Sequence, residues 1–401
     1  MSTEYRVQST GYWVLGTSHW VRIKTQQCYH VTNSNHSNRF TMPATVVLII
    51  DGIAANLPGP YGNTTVDTPT LNRFAAEAEL FDFCFAESPL LQNSYPILWN
   101  DLIGEGSILV SDCPDVLALA GGQPFDTVVD ASSPAKTKSA SSVSETQTAN
   151  FFIHAVEALQ SLDSDGLCWL HHAGLTGPWD APWELRCAFG DEDDPDPPTE
   201  VQRPVSTFDP KEVDPDVLLG YQQSAYAQLV VIDQLLGVFL QQIEENGSAD
   251  RVSFVIASPR GYPLGEHGIV GDFKNLYSET IHVPLMIRKP TDSSEQTVAC
   301  GSRHQGIVQF SQLNRMIDAL LDGGFHAFSF CDVAESYVDD LKSLHNGQWK
   351  LLHRTDEVES AELYSKPDDR WDVNNVSRRC ADVVDELMGV DSESENEVES
   401  A

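Results

Sequence analysis

Sustained hydrophobic patterning in this 401-residue chain begins at Thr45. There "TVVLIID" (Thr45–Asp51) runs apolar without a break and stops on an acid. That is the pattern of a central parallel strand buried on both faces. Comparable runs follow at "GLCWLHH" (Gly166–His172), "RVSFVIAS" (Arg251–Ser258) and "VPLMIRKP" (Val283–Pro290). Between them the period changes. "TPTLNRFAAEAELF" (Thr68–Phe81) carries apolar residues at Leu71, Phe74, Ala75 and Ala78, with Thr68 at the N-cap and Pro69 in the first turn, which predicts a helix. Leu219–Gly247 reads as one long amphipathic helix closed by Gly247. The alternation predicts an α/β fold, a mostly parallel sheet with helices on both faces. A small C-terminal α+β subdomain follows, with strands from "GQWKLLHR" and "AELYSKPDDRWDVNNV" and a helix from "SRRCADVVDELMG".

These changes divide the chain into residues 1–41, 42–322, 323–389 and 390–401. Residues 1–41 are polar, show no sustained period and hold Arg6, Arg22, Lys24 and Arg39 against the single acid Glu4. They read either as a disordered arm or as an extension upstream of a true start at Met42. The acidic tail 390–401 reads as disordered. Within the α/β unit, Ser/Thr-rich Asp130–Asn150 reads as a mobile loop, and acidic, Pro-rich Phe189–Val205 as an exposed excursion. The latter lacks the glycine-turned ligand spacing of a calcium loop.

Charge narrows the partners. With 24 Lys and Arg against 59 Asp and Glu, the formal net charge is -35. Such a surface repels nucleic acid and anionic membranes, and favours anionic ligands only where a local basic pocket offsets it. Eight cysteines stand singly, without the spacing of a zinc site or redox pair, so buried free thiols are expected. No run of 18 apolar residues suggests a transmembrane segment, and the first residues lack a signal peptide's apolar core; the expected location is cytoplasmic.

The candidate chemistry lies at the strand ends. "SFVIASPRGYPLGEHG" (Ser253–Gly268) delivers Pro259 and Arg260 to the carboxyl edge of the sheet, where ligands of α/β proteins usually bind. Four stretches in order give these positions a context. They are "VVLIIDGIAANLPGPYGNTTVDTPTLNRFAAEAELFDFCFAESP", "GYQQSAYAQLVVIDQLLGVFL" with Asp233 to Gly237, "LGEHG" with "LYSETIHVPLMIRKP", and "AELYSKPDDRWDVNNV". Together they resemble the sulfatase family of the alkaline phosphatase superfamily, from Met42 to about Gly389.

The resemblance implies hydrolysis of a sulfate ester, with a divalent cation at the ester oxygens and a formylglycine nucleophile made from Cys or Ser. It also shows what is missing. Of the first acid pair Asp51 remains and Gly52 replaces the other; Pro259 and Arg260 occupy the second pair of ligand positions. Proline offers no donor atom, and arginine repels a cation. In "LQNSY", Leu91 stands at the nucleophile, Asn93 at a Pro or Ala, and Tyr95 at an Arg. "GLTGPW" puts Thr176 at a histidine position, and the family's "G-K-W-H" element has no counterpart between Asn100 and Asn150.

Two functional readings follow. In the first the protein is catalytically degenerate and binds an anion, a sulfated sugar or a protein partner in the former cleft, with Arg260 and Lys274 as ligand contacts. Asp51 would then pair with Arg260 across the old metal position. In the second it is a metal-dependent hydrolase of sulfate, phosphate or phosphonate esters with a rearranged site, Ser94 or Ser88 replacing the nucleophile and Asp51 holding calcium or magnesium. Glu266 and His267 read as loop-shaping residues, and strand alternation turns only one of His171 and His172 toward the cleft.

Overall fold

The structure, a computed structural model, describes residues 11–15, 20–24, 45–104, 106–134, 136–161, 166–209, 211–245, 252–289, 301–321, 329–355 and 357–389. Strands β1 (Gly11–Leu15) and β2 (Trp20–Lys24) pair antiparallel as a sheet of their own, inside the segment set apart on sequence grounds. The tail 390–401 lies outside the described residues.

An eight-stranded sheet carries the rest. In chain order its strands are β3 (Thr45–Ile50), β4 (Glu79–Phe85), β5 (Ser107–Ser111), β6 (Thr127–Asp130), β7 (Leu167–His172), β9 (Ser253–Ala257), β11 (His282–Arg288) and β12 (Ser302–Gln309). They lie in the order β12-β4-β11-β9-β3-β7-β5-β6. All neighbours are parallel except β11, which runs antiparallel to both β4 and β9. Two short strands, β8 (Ser206–Thr207) and β10 (Ile269–Val270), pair beside it.

Side-chain alternation along β3 divides the core. Val46, Leu48 and Ile50 join α1 (Pro69–Ala76), α4 (Gln147–Ser161) and α6 (Pro215–Glu245) on one face. Val47 and Ile49 join α2 (Leu91–Trp99), α3 (Pro114–Ala120) and α7 (Leu313–Leu321) on the other. This is the expected arrangement of helices on both faces. Helix α6 is long and apolar enough to cross a membrane by length and composition, but 78% of its most apolar window is buried within the protein. Its Asp233 accepts the Thr70 and Leu71 amides at 3.0 and 2.9 Å, capping α1 from a distance, since Thr68 makes no side-chain cap.

Two expectations need correction. The helix drawn over Thr68–Phe81 ends at Ala76, and Glu79 already opens β4. The Ser/Thr-rich stretch is not loop throughout, because α4 starts at Gln147 and Ala140 is tied to Asp180. The acidic excursion is exposed over most of its length and non-helical, as expected, and it is also pinned from below. Arg186, fully buried on the short α5 (Trp183–Cys187), donates Nη1 to the carbonyls of Pro198 (2.7 Å) and Glu200 (3.0 Å) and Nη2 to that of Trp179.

The C-terminal unit is a four-stranded antiparallel meander, β13 (Ala334–Val338), β14 (Leu341–His345), β15 (Trp349–Arg354) and β16 (Glu357–Ser365). Residues 381–389 form a helix whose Val384 and Leu387 pack on Leu344, Leu351 and Leu363. Among the described residues the cysteines are unpaired; Cys84, Cys113 and Cys168 are buried, while Cys187 is exposed.

Candidate functional site

The carboxyl ends of β3, β7, β9 and β5 converge, and each delivers one side chain to a shared buried cluster. Asp51 follows β3, His171 lies at the end of β7, Arg260 follows β9, and Cys113 follows β5. Asp51 and His171 are wholly buried, and Cys113 and Arg260 nearly so.

Arg260 meets Asp51 side by side: Nε donates to Oδ1 at 2.9 Å and Nη2 to Oδ2 at 2.8 Å. Its Nη1 donates to the Pro89 carbonyl at 2.9 Å, and the guanidinium lies 4.0 Å from the centre of the Phe273 ring. The pairing expected from sequence is therefore present as a two-pronged, buried ion pair, a geometry suited to the planar guanidinium. Burial would raise the Asp51 carboxyl, but the Arg260 charge and hydrogen bonds outweigh it, with smaller help from His171 and Thr176, so the carboxyl ionises below its usual range. Burial likewise opposes the Arg260 charge, and Asp51 more than restores it.

The turn that presents Arg260 is locked by Ser258, whose hydroxyl donates to the Arg260 carbonyl at 2.6 Å and accepts the Ile53 amide at 3.2 Å. Gly52 explains the missing acid beside Asp51. Its φ is +84°, and a Cβ there would meet the Leu175 side chain at 3.0 Å and the Thr176 amide at 3.1 Å. An aspartate at this position would be strained and crowded. Thr176 Oγ1 sits 3.0 Å from Asp51 Oδ2 and 2.8 Å from the Ala173 carbonyl.

On the far side, Tyr95 hydrogen-bonds His171 Nδ1. Burial pushes the Tyr95 hydroxyl well above its usual range, so it keeps its proton and donates it. His171 then carries its own proton on Nε2, 4.0 Å from Asp51 Oδ2 and without a hydrogen-bond partner. Burial, against the pull of Asp51 and Asp112, takes this imidazole down to about 4. Burial and then the Asp51 charge push the Cys113 thiol up to about 12. His172 faces the other way, as alternation requires, with Asp112 Oδ2 at 2.8 Å and Thr148 Oγ1 at 3.2 Å.

The remaining sequence candidates fall outside this cluster. Leu91 is buried at the start of α2 as core. Ser94 donates to the Ser88 carbonyl at 3.0 Å and meets no base, while Ser88 Oγ accepts Asn93 Nδ2 at 3.1 Å. Lys274 is 72% exposed and stands 3.8 Å from Asp339, so it is not one of the cluster's contacts. Arg260, read as a ligand-binding cation, is committed inside the protein. His267 bridges Glu279 Oε1 (2.8 Å) and the Asp372 carbonyl (2.9 Å), and Glu266 accepts the Leu264 amide at 2.6 Å, a loop-shaping role for both. Sequence reasoning missed Tyr95, His171 and Cys113 as neighbours of Asp51; only the strand-end positions of His171 and Cys113 signalled it.

The hard cation implied by the family does not fit these residues. Calcium takes about six to eight oxygen ligands, whereas here one carboxylate is held by an arginine, and Gly52 and Pro259 offer no side-chain oxygen.

The sulfatase family model matches residues 110–320, just over half of the chain. The chain belongs to the sulfatase family. An N-acetylglucosamine-6-O-sulfatase of Bacteroides thetaiotaomicron is 23% identical over 185 residues, covering 39% of this chain and 32% of that protein. The match thus spans about a third of this curated relative's length. Among solved structures, the phosphonate monoester hydrolase of Agrobacterium radiobacter superposes with a TM-score of 0.67 at 14% identity, covering 90% of this sulfatase-family chain and 96% of the hydrolase. BT4656, solved with its substrate D-glucosamine-2-N,6-O-disulfate, gives 0.62 at 15% identity, with 90% and 98% coverage. The likeness to the solved structures establishes the alkaline phosphatase-like fold.

Proposed function

We propose that this sulfatase-family protein does not hydrolyse esters, and that it acts by binding an anionic ligand of the sulfated-sugar class. One observation carries the non-catalytic part: the Arg260 guanidinium occupies both oxygens of Asp51. A fixed cation already neutralises the carboxylate, so a divalent metal would have to expel a buried, hydrogen-bonded arginine before binding. Among the described residues no activated nucleophile stands nearby either, because Ser94 is tied to a carbonyl and the Cys113 thiol stays protonated at neutral pH. The ligand class is supported by the relatives, one named as an N-acetylglucosamine-6-O-sulfatase and another solved with a disulfated glucosamine.

A second reading has one observation in its favour. Ligand atoms of Asp51, Cys113 and His171 lie within 4.8 Å of one another, a donor set of the kind that zinc accepts. A hydrolase built on that triad would retain stoichiometric zinc and release sulfate or phosphate. The deciding experiment incubates the purified chain with glucosamine 6-sulfate and p-nitrophenyl sulfate, phosphate and phosphonate esters, with and without zinc, calcium or magnesium. The proposal expects no product above background. Turnover that Asp51→Asn abolishes would overturn it.

A further inference from the structure

A cavity of 380 Å³ opens between the central sheet and the C-terminal unit, and none of the buried cluster around Asp51 lines it. Its walls combine Asp82 and Phe83 of β4 with Ser278, Arg303, Lys366 and Arg370. On a chain of net charge -35 this concentration of cations is anomalous: three cationic side chains face one carboxylate. Asp82 is itself engaged by Arg303 Nε at 2.9 Å.

Beneath the cavity lies a buried ionic cluster. Lys350 and Lys366 share a single carboxylate, Asp372, with Lys350 Nζ at 2.6 Å and Lys366 in contact on the other oxygen. Lys350 also feels the charge of the buried Glu279, so the two ammonium groups are balanced by carboxylates beneath the cavity and the cations left to face it are Arg303 and Arg370. Lys350 also donates to Ser278 Oγ at 3.3 Å, which leaves the Ser278 hydroxyl proton free to donate elsewhere. Arg370 donates Nη2 to the Tyr61 carbonyl at 2.8 Å, its guanidinium lies 5.6 Å from the centre of the Trp371 ring and its charge also acts on Asp82, while its Nη1 and Nε, like Arg303 Nη1, make no hydrogen bond among the described residues. Half-buried Phe83 adds an apolar wall.

We infer that this cavity binds a small sulfate or phosphate monoester, the oxyanion held by Arg370, Arg303 and the Ser278 hydroxyl, with the organic body against Phe83. N–H donors of two guanidinium groups and a hydroxyl O–H lining one cavity suit a tetrahedral oxyanion, and the volume suits a monosaccharide ester. The inference places the anion away from Asp51 and does not depend on the chain being non-catalytic.

Isothermal titration of the full chain with inorganic sulfate, inorganic phosphate, glucosamine 6-sulfate and glucose 6-phosphate tests it, and the ester pair separates sulfate from phosphate as the natural head group. Saturable 1:1 binding of at least one ester is expected, weakened tenfold or more by Arg370→Gln and by Ser278→Ala, and unchanged by the surface substitution Lys274→Gln. Thermal unfolding of each variant shows that it remains folded. No binding by any of the four probes, or binding that survives both cavity substitutions, would overturn the inference. Sulfate or phosphate release measured in the same samples would count against the non-catalytic reading alone.

Discussion

Arg260 grips Asp51 through two parallel hydrogen bonds at 2.9 and 2.8 Å, in a place where the family's metal ligands should converge. The pair is a local solution to a buried carboxylate left at the end of β3. Once Gly52 and Pro259 offer no side-chain oxygens, a guanidinium neutralises Asp51 with matched geometry.

Removing one partner should therefore be severe. Arg260→Met leaves Asp51 buried and uncompensated, at a cost of about 3–5 kcal/mol, whereas Asp51→Leu combined with Arg260→Met should recover most of that loss. Urea unfolding of the two single variants and the double variant checks this. Equal, additive losses would show that the pair is not coupled.

Ser94 should be dispensable chemically and modestly important structurally. Its hydroxyl donates to the Ser88 carbonyl, so Ser94→Ala should lose about 0.5–1.5 kcal/mol of stability and alter no ester-hydrolysis background. A change in that background on Ser94→Ala would restore it as a nucleophile candidate.

Asp233 gives a pH signature. Burial raises its carboxyl to about 6, although the Thr70 and Leu71 amides and the Thr70 hydroxyl pull the other way. A carboxyl whose folded pKa is raised binds more protons folded than unfolded. Its contribution is thus full below the unfolded value near 3.8 and is lost as pH rises through about 6. Asp233→Asn should flatten the stability profile over that window, and Asp233→Ala should cost about 1–2 kcal/mol by uncapping α1. Denaturant midpoints measured from pH 4 to 7 test both.

Arg186 should govern the acidic segment. Without its bonds to the Pro198 and Glu200 carbonyls, each worth about 1.5–3 kcal/mol when the donor is charged, residues 189–205 should open more often. Arg186→Met should speed limited proteolysis within that stretch by tenfold or more. Unchanged cleavage would show that other contacts hold it.

Much of this was readable from the sequence, and particular residues show where that stopped. The run ending at Asp51 and the run ending at Ser258 gave the adjacent strands β3 and β9, so the Asp51–Arg260 pairing could be expected. Strand β4 was hidden because Ala75, Ala78 and Phe81 continue a helical period into it, and the period cannot register that the chain turns at Glu77. Helix α2 was read only as a motif, so Tyr95 looked like a lost arginine rather than a partner of His171, 76 positions away. Arg186 beneath the acidic loop had no local signal either, because its partners are carbonyls, which the sequence does not distinguish.

The most direct test is divalent-metal binding to the full chain and to Asp51→Asn. Bound metal would be measured after equilibration with calcium, magnesium, manganese or zinc, together with the thermal unfolding midpoint. A ligand that binds only the folded state raises that midpoint. With Arg260 fixed on Asp51, no stoichiometric metal is retained, and any small shift is the same in Asp51→Asn. One equivalent of metal per chain, with a saturable rise in midpoint that Asp51→Asn removes, would contradict the account.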